Sequence, residues 1–119
     1  MKKINLQPIA ILTASGKPIE VADSSDLEFD VVDALMSLLA HPADRQVGPS
    51  WEEMEDAAAV RDKIRAAEEG FIEVTLDEHA MIVAKLRGAR ALFTTSDTHF
   101  KFWQRIYEAE DTTTKKGND

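Results

Sequence analysis

Between Val31 and Leu39 the chain places Val31, Val32, Leu35, Leu38 and Leu39 at helical spacing, with Met36 widening the stripe. Asp30 stands at the N-cap position and Asp33 falls in the first turn, where a negative charge suits the helix dipole. The helix should end near His41-Pro42, because a residue before proline is pushed out of the helical region. It is the most apolar helix of the chain and the expected centre of the core. Ala43 to Gly48 reads as a polar connector.

The next stretch carries its own punctuation. Ser50 followed by Glu53 has the spacing of a capping box, and it opens a helix over Trp51 to Glu69 that Gly70 should close in the left-handed conformation. Met54, Ala57, Ala58, Val60, Ile64 and Ala67 form a narrow stripe of mostly small residues for close packing. The opposite side holds Glu52, Glu53, Glu55, Asp56, Asp62, Glu68 and Glu69 against Arg61, Lys63 and Arg65, a solvated face or an acidic docking surface. Phe71-Ile72-Glu73-Val74 alternates as a short strand. Thr75-Leu76-Asp77-Glu78 then repeats the capping box before a helix that stops at Gly88 and buries some subset of Leu76, Ala80, Ile82, Val83 and Leu86.

Ala89 to Phe93 is too short to assign. Thr95-Ser96-Asp97-Thr98 opens a last helix bearing Phe100, Phe102, Trp103, Ile106 and Tyr107. Phe100, Trp103 and Tyr107 lie at i, i+3 and i+7 on one side, with Phe102 and Ile106 beside them. This aromatic helix either docks on the core or leaves a patch for self-association or a partner, and these five residues are the candidate interaction site.

At the N-terminal end, Ile4, Leu6, Ile9, Ile11 and Leu12, the turn formers Ser15-Gly16-Lys17-Pro18, and Ile19-Glu20-Val21 read as a β-hairpin over 4–21. Pro8 has no amide donor and belongs on an edge or at a strand's start. Asp23 to Asp26 is a loop, and Leu27-Glu28-Phe29 a short extended lead-in to the first helix. A lone hairpin is marginal in water, so Phe71 to Val74 is the expected third strand. The fold class is α+β: a small N-terminal antiparallel hairpin or three-stranded sheet packed on about four helices. One globular domain is expected over 1–110, with 111–119 a disordered tail.

Composition narrows the functional classes. With 22 acidic and 14 basic residues the net charge is −8, which repels phosphate backbones and anionic lipid, so no direct nucleic-acid or membrane partner is expected. The chain has no cysteine, which excludes disulfides and thiolate metal sites and fits a cytoplasmic location. Met1-Lys2-Lys3 is basic, but Pro8 breaks the apolar run after it and no signal peptide is read there. No stretch approaches the roughly 20 apolar residues of a membrane helix.

Chemistry-bearing patterns are sparse. His41, His79 and His99 fall in different elements, without the helical spacing of a zinc pair. Glu78 beside His79 and Asp97 near His99 are explained as cap and dipole partners. No serine sits in a nucleophile elbow, and Ala14-Ser15-Gly16-Lys17 lacks the rest of a phosphate loop. No catalytic, cofactor-binding or metal residue is assigned, and no cofactor.

The order of three segments, Ile-Asn-Leu to Gly-Lys-Pro-Ile, then Ala-Leu-Met-Ser-Leu-Leu, then Ile-Glu-Val-Thr-Leu-Asp-Glu-His-Ala-Met-Ile, resembles small proteins of tailed phages and prophages over about residues 4 to 87. The resemblance implies a non-enzymatic setting, virion assembly or host takeover in the host cytoplasm, and carries no functional residue with it. The expected function is a non-catalytic interaction or assembly module, self-associating or bound to a protein partner. The alternatives are an acidic nucleic-acid-mimicking inhibitor and a small metal- or histidine-dependent enzyme.

Overall fold

The computed structural model describes residues 1–11 and 28–111. The turn and second arm of the expected hairpin, and residues 112–119 of the expected tail, lie outside the described residues. In chain order come β1 (Lys2–Asn5), β2 (Ile9–Ala10), β3 (Glu28–Phe29), α1 (Val31–Leu39), α2 (Trp51–Ala66), β4 (Phe71–Val74), α3 (Leu76–Gly88), a 3₁₀ turn (Arg90–Leu92), α4 (Asp97–Tyr107) and β5 (Glu110–Asp111).

The architecture is α+β. A three-stranded antiparallel sheet has β1 at its centre, flanked by β4 and β5. Lys2 faces Val74 and Asn5 faces Phe71 on one side, while Lys2 faces Asp111 and Lys3 faces Glu110 on the other. Phe71 to Val74 is thus the third-strand partner that the N-terminal residues need. Asp111, the first residue of the expected tail, belongs to β5. The run from Ile4 to Ile11 is not one continuous arm. After Asn5 the chain turns, with the Gln7 amide donating to Asn5 Oδ1 (2.8 Å), and Ile9 and Ala10 pair instead with Phe29 and Glu28. Pro8, lacking a donor, falls in the gap between the two strands.

Alternation decides which face of the sheet is covered. Ile4, Ile72 and Val74 point into the core, while Lys3, Asn5, Phe71 and Glu73 occupy the opposite face, where the Lys3 ammonium lies 4.3 Å from the Phe71 ring centre. Helices α2 and α3 lie against β4, α4 lies against β1 and β2, and α1 packs on α2 and α3. Leu35, Val60, Ile82, Leu86, Phe102 and Ile106 are fully buried where these helices meet.

Helix starts follow the sequence closely. Asp30, Ser50, Thr75 and Ser96 each accept the amide three residues on, and Thr75 with Glu78 completes a reciprocal capping box. At Ser50 the Glu53 carboxylate is shared, its stronger partners being the Lys85 ammonium and the Ala43 amide described below.

Helix ends depart further. α2 unwinds after Ala66, three residues before Glu69, and Gly70 takes its left-handed conformation (φ +82°) in the turn into β4. There its carbonyl accepts the Leu6 amide (2.8 Å), and the Gln7 side chain sits where a Cβ would project. Gly88 remains helical. Its missing side chain instead makes room for the Ala43 carbonyl. On α3, Ile82 and Leu86 are buried and Val83 is partly so, but Leu76 and Ala80 face outward. No helix among the described residues is long and apolar enough to cross a membrane.

Candidate functional site

Helix α4 has two faces with different work. Phe102 and Ile106 are fully buried, and burial of side chains of this size stabilises by roughly 1.5–3 kcal/mol each. The Arg105 guanidinium ties the same helix to the carbonyls of Asn5 (3.3 Å) and Gln7. Phe100 is 61% exposed and Tyr107 39%, with Trp103 half-buried between them.

The candidate interaction site therefore divides. The structure brings Phe100, Trp103 and Tyr107 together on the surface and takes Phe102 and Ile106 into the core. Helical geometry accounts for this, since residues at i+2 and i+6 from Phe100 lie about 160° and 120° around the axis from it, away from its side.

One neighbour comes from outside the helix. Phe93, following the 3₁₀ turn, meets Trp103 edge-on (5.6 Å between ring centres, 88°) and lies nearly parallel to Phe102 (5.9 Å, 18°). Trp103 in turn stacks on Tyr107 (5.6 Å, 12°), whose hydroxyl accepts from Arg87 Nε (2.9 Å). Phe93, Phe100, Trp103 and Tyr107 line an open groove of about 570 Å³. The contacts among Phe93, Phe102, Trp103 and Tyr107 hold these rings in place. Arg87 and Arg90 stand beside them with Asp97 and Glu108, two charges of each sign.

A second apolar groove lies where α1 ends and α2 begins. Leu39, Pro42, Pro49, Trp51, Met54 and Ala58 line about 450 Å³ of it, with Trp51 69% and Met54 50% exposed. Met54, expected in the buried stripe of α2, instead faces this groove; Ala57, Val60 and Ile64 are the residues that pack inward.

Its frame rests on an ion pair. Lys85, with 3% of its side chain exposed, donates from Nζ to Glu53 Oε2 (2.7 Å) and to the His41 carbonyl (2.5 Å), while Glu53 Oε2 also accepts the Ala43 amide (2.9 Å). Burial alone raises the Glu53 pKa. The hydrogen bonds from Lys85 and Ala43 and the Lys85 charge outweigh it, leaving the carboxyl below its ordinary value of 4.5.

Sequence reasoning overlooked this pair because Glu53 and Lys85 are 32 residues apart and each fits a surface pattern on its own helix. The available signal was a lysine at position 85 between Val83 and Leu86, on the face that carries Met81 and Ile82 inward.

The histidines do not form one centre. His79 Nε2 lies 2.7 Å from the Ile106 carbonyl, so Nε2 carries the proton there. His41 and His99 line a cleft of about 180 Å³ with Arg45 and Lys85, and no carboxylate lines it among the described residues. Within that cleft His41 Nδ1 is bonded to the Ser37 carbonyl (2.8 Å) and His99 Nδ1 accepts the Thr94 amide (2.9 Å). Among the described residues no group of three or more histidine, aspartate or glutamate side chains could hold a metal ion. Comparison of the chain with protein-family models, curated proteins and solved structures finds no match.

Proposed function

We propose that this chain is a non-catalytic interaction module that assembles with a second copy of itself through the Phe100, Trp103 and Tyr107 ridge of α4. The observation that carries this reading is the division of one short helix into a buried half that anchors it and an exposed half that stays aromatic. A helix needed only for packing gains nothing from an outward-facing phenylalanine and tyrosine, whereas interface centres are enriched in such residues. The rim supports a second copy as occupant. Although the chain carries −8, the charges beside this ridge balance, so two copies related by a two-fold axis meet here without a local excess of like charge. The resemblance to small tailed-phage proteins supports an assembly role, and capsid or tail genes beside this one would strengthen it.

Sedimentation velocity over a wide concentration range tests the proposal. The wild-type chain is expected to populate a dimer or larger species, and Phe100→Glu to be monomeric with an unchanged circular dichroism spectrum. A wild-type chain that stays monomeric at millimolar concentration overturns the reading.

A further inference from the structure

Between the end of α1, the connector and the 3₁₀ turn lies the cleft of about 180 Å³ that His41, Arg45, Lys85 and His99 line. Its remaining wall is mostly apolar. Leu38 and Ala89 are buried there, and the His99 ring stands edge-on to both Phe29 (5.7 Å between ring centres) and Phe93 (5.1 Å). Four basic side chains and, among the described residues, no carboxylate line this space, in a chain whose net charge is −8.

Part of that bias has a local cause. Both α1 and α3 end at the cleft, and helix C-termini attract positive groups. His41 answers α1 by donating from Nδ1 to the Ser37 carbonyl (2.8 Å). Lys85 spends two of its three N–H groups on the His41 carbonyl and on Glu53, whose carboxylate lines the neighbouring groove and not this one.

Two donors are left without such an account. The Arg45 guanidinium has no hydrogen bond or ion pair among the described residues, and the Asp44 carboxylate beside it in the chain accepts the Gln46 and Val47 amides. His99 takes the Thr94 amide at Nδ1 (2.9 Å), so its proton is on Nε2, which has no partner among the described residues either.

We infer that this cleft binds a small aromatic monocarboxylate, its carboxylate on Arg45 and the His99 Nε2–H and its ring against Phe29, Leu38 and Phe93. A guanidinium offers a carboxylate two parallel N–H groups, which selects a planar monoanion. A phosphate would need more donors than the two that are free and would meet an apolar wall. The volume equals that of about six waters at ~30 Å³ each, which limits the body to a single ring. Phe100, Trp103 and Tyr107 do not line the cleft, so the site does not depend on self-association.

The probe is benzoate, with benzamide as its neutral isostere, added to isotope-labelled chain and followed through backbone amide NMR shifts. The Arg45, Gly88, Phe93 and His99 amides are expected to shift together and saturate with benzoate, half-saturating at about 1 mM or below, and to stay in place with benzamide. Arg45→Gln should weaken binding about tenfold, and Arg45→Lys, which keeps the charge and loses the fork, should fall between. Phe100→Glu should leave binding unchanged. Arg45 is exposed, and an unchanged amide spectrum away from the cleft checks that its variants are folded.

Equal binding of benzamide, benzoate shifts that never saturate, or undiminished binding by Arg45→Gln overturns the inference. So does a response centred on Trp51 or Phe100, which would put the carboxylate in another groove. A chain that stays monomeric yet binds benzoate at Arg45 refutes self-association and upholds the cleft, and a dimer indifferent to benzoate does the reverse.

Discussion

The α4 ridge and the Trp51 groove both show aromatic side chains to solvent, yet they are held up by opposite kinds of force. Beneath Phe100 and Tyr107 lie Phe102 and Ile106, apolar groups whose contribution is insensitive to pH and little affected by moderate salt. Beneath Trp51 lies the Lys85–Glu53 pair, which holds only while both groups are charged and together. A surface can thus be rigid for either reason, and solution conditions tell the two apart.

The largest expected effect is on the apolar side. Phe102→Ala empties a fully buried aromatic position and should cost about 3–5 kcal/mol in urea denaturation. Phe100→Ala, two residues away, should leave the monomer within about 0.5 kcal/mol of wild type. Similar costs for the two would mean that α4 does not divide into an inward and an outward half.

The polar counterpart is Lys85→Met. The methionine keeps much of the stem, but Glu53 loses its cation, and removing one partner of a buried pair costs roughly 3–5 kcal/mol, toward the lower figure here because Glu53 is partly solvated. The same change should leave self-association through the α4 ridge in place. Its loss would show that the two surfaces are coupled.

How much of this could be read from the chain follows from how local each cause is. Caps at Asp30, Ser50, Thr75 and Ser96 act over three residues, so the sequence states them outright. The sheet was half legible. The alternation in Phe71 to Val74 marks a strand, but nothing near Glu110 and Asp111 says that they pair with Lys3 and Lys2, since strand pairing depends on where the chain returns in space. Gly70 illustrates a misassigned cause. Its left-handed conformation is real, but the turn toward β4 requires it, and α2 had already ended at Ala66. At the site, the period of α4 was visible and its phase was not. Which of Phe100 and Phe102 faces inward depends on where β1 and β2 lie, and that is a tertiary fact.

Acid should separate the two supports at a smaller scale. Glu53 has a lowered pKa in the folded state, so its contribution is present above the unfolded value near 4.5 and is lost as pH falls through the lower folded value. Glu53→Gln removes that ionisation. Its stability deficit relative to wild type, about 1.5 kcal/mol near neutral pH from weakened charge-assisted hydrogen bonds, should shrink as pH drops below 4.5. A deficit that stays constant to the acid limit would show that the Glu53 charge is not what holds the connector. The cost of Phe102→Ala, by contrast, should not track this titration.

The finest distinction is between exposed residues whose removal barely changes the monomer. If copies associate through the α4 ridge, the folded chain is stabilised by mass action, and the thermal midpoint of wild type should rise with protein concentration. Trp51→Ala, at a residue outside the ridge, should keep that dependence. Phe100→Ala should flatten it while matching wild type at high dilution, where both are monomeric. The two substitutions are alike in chemistry and in exposure, 61% against 69%, so a general loss of apolar surface would affect both curves equally. A concentration dependence abolished by Trp51→Ala and preserved by Phe100→Ala would move the contact between copies from the α4 ridge to the Trp51 groove.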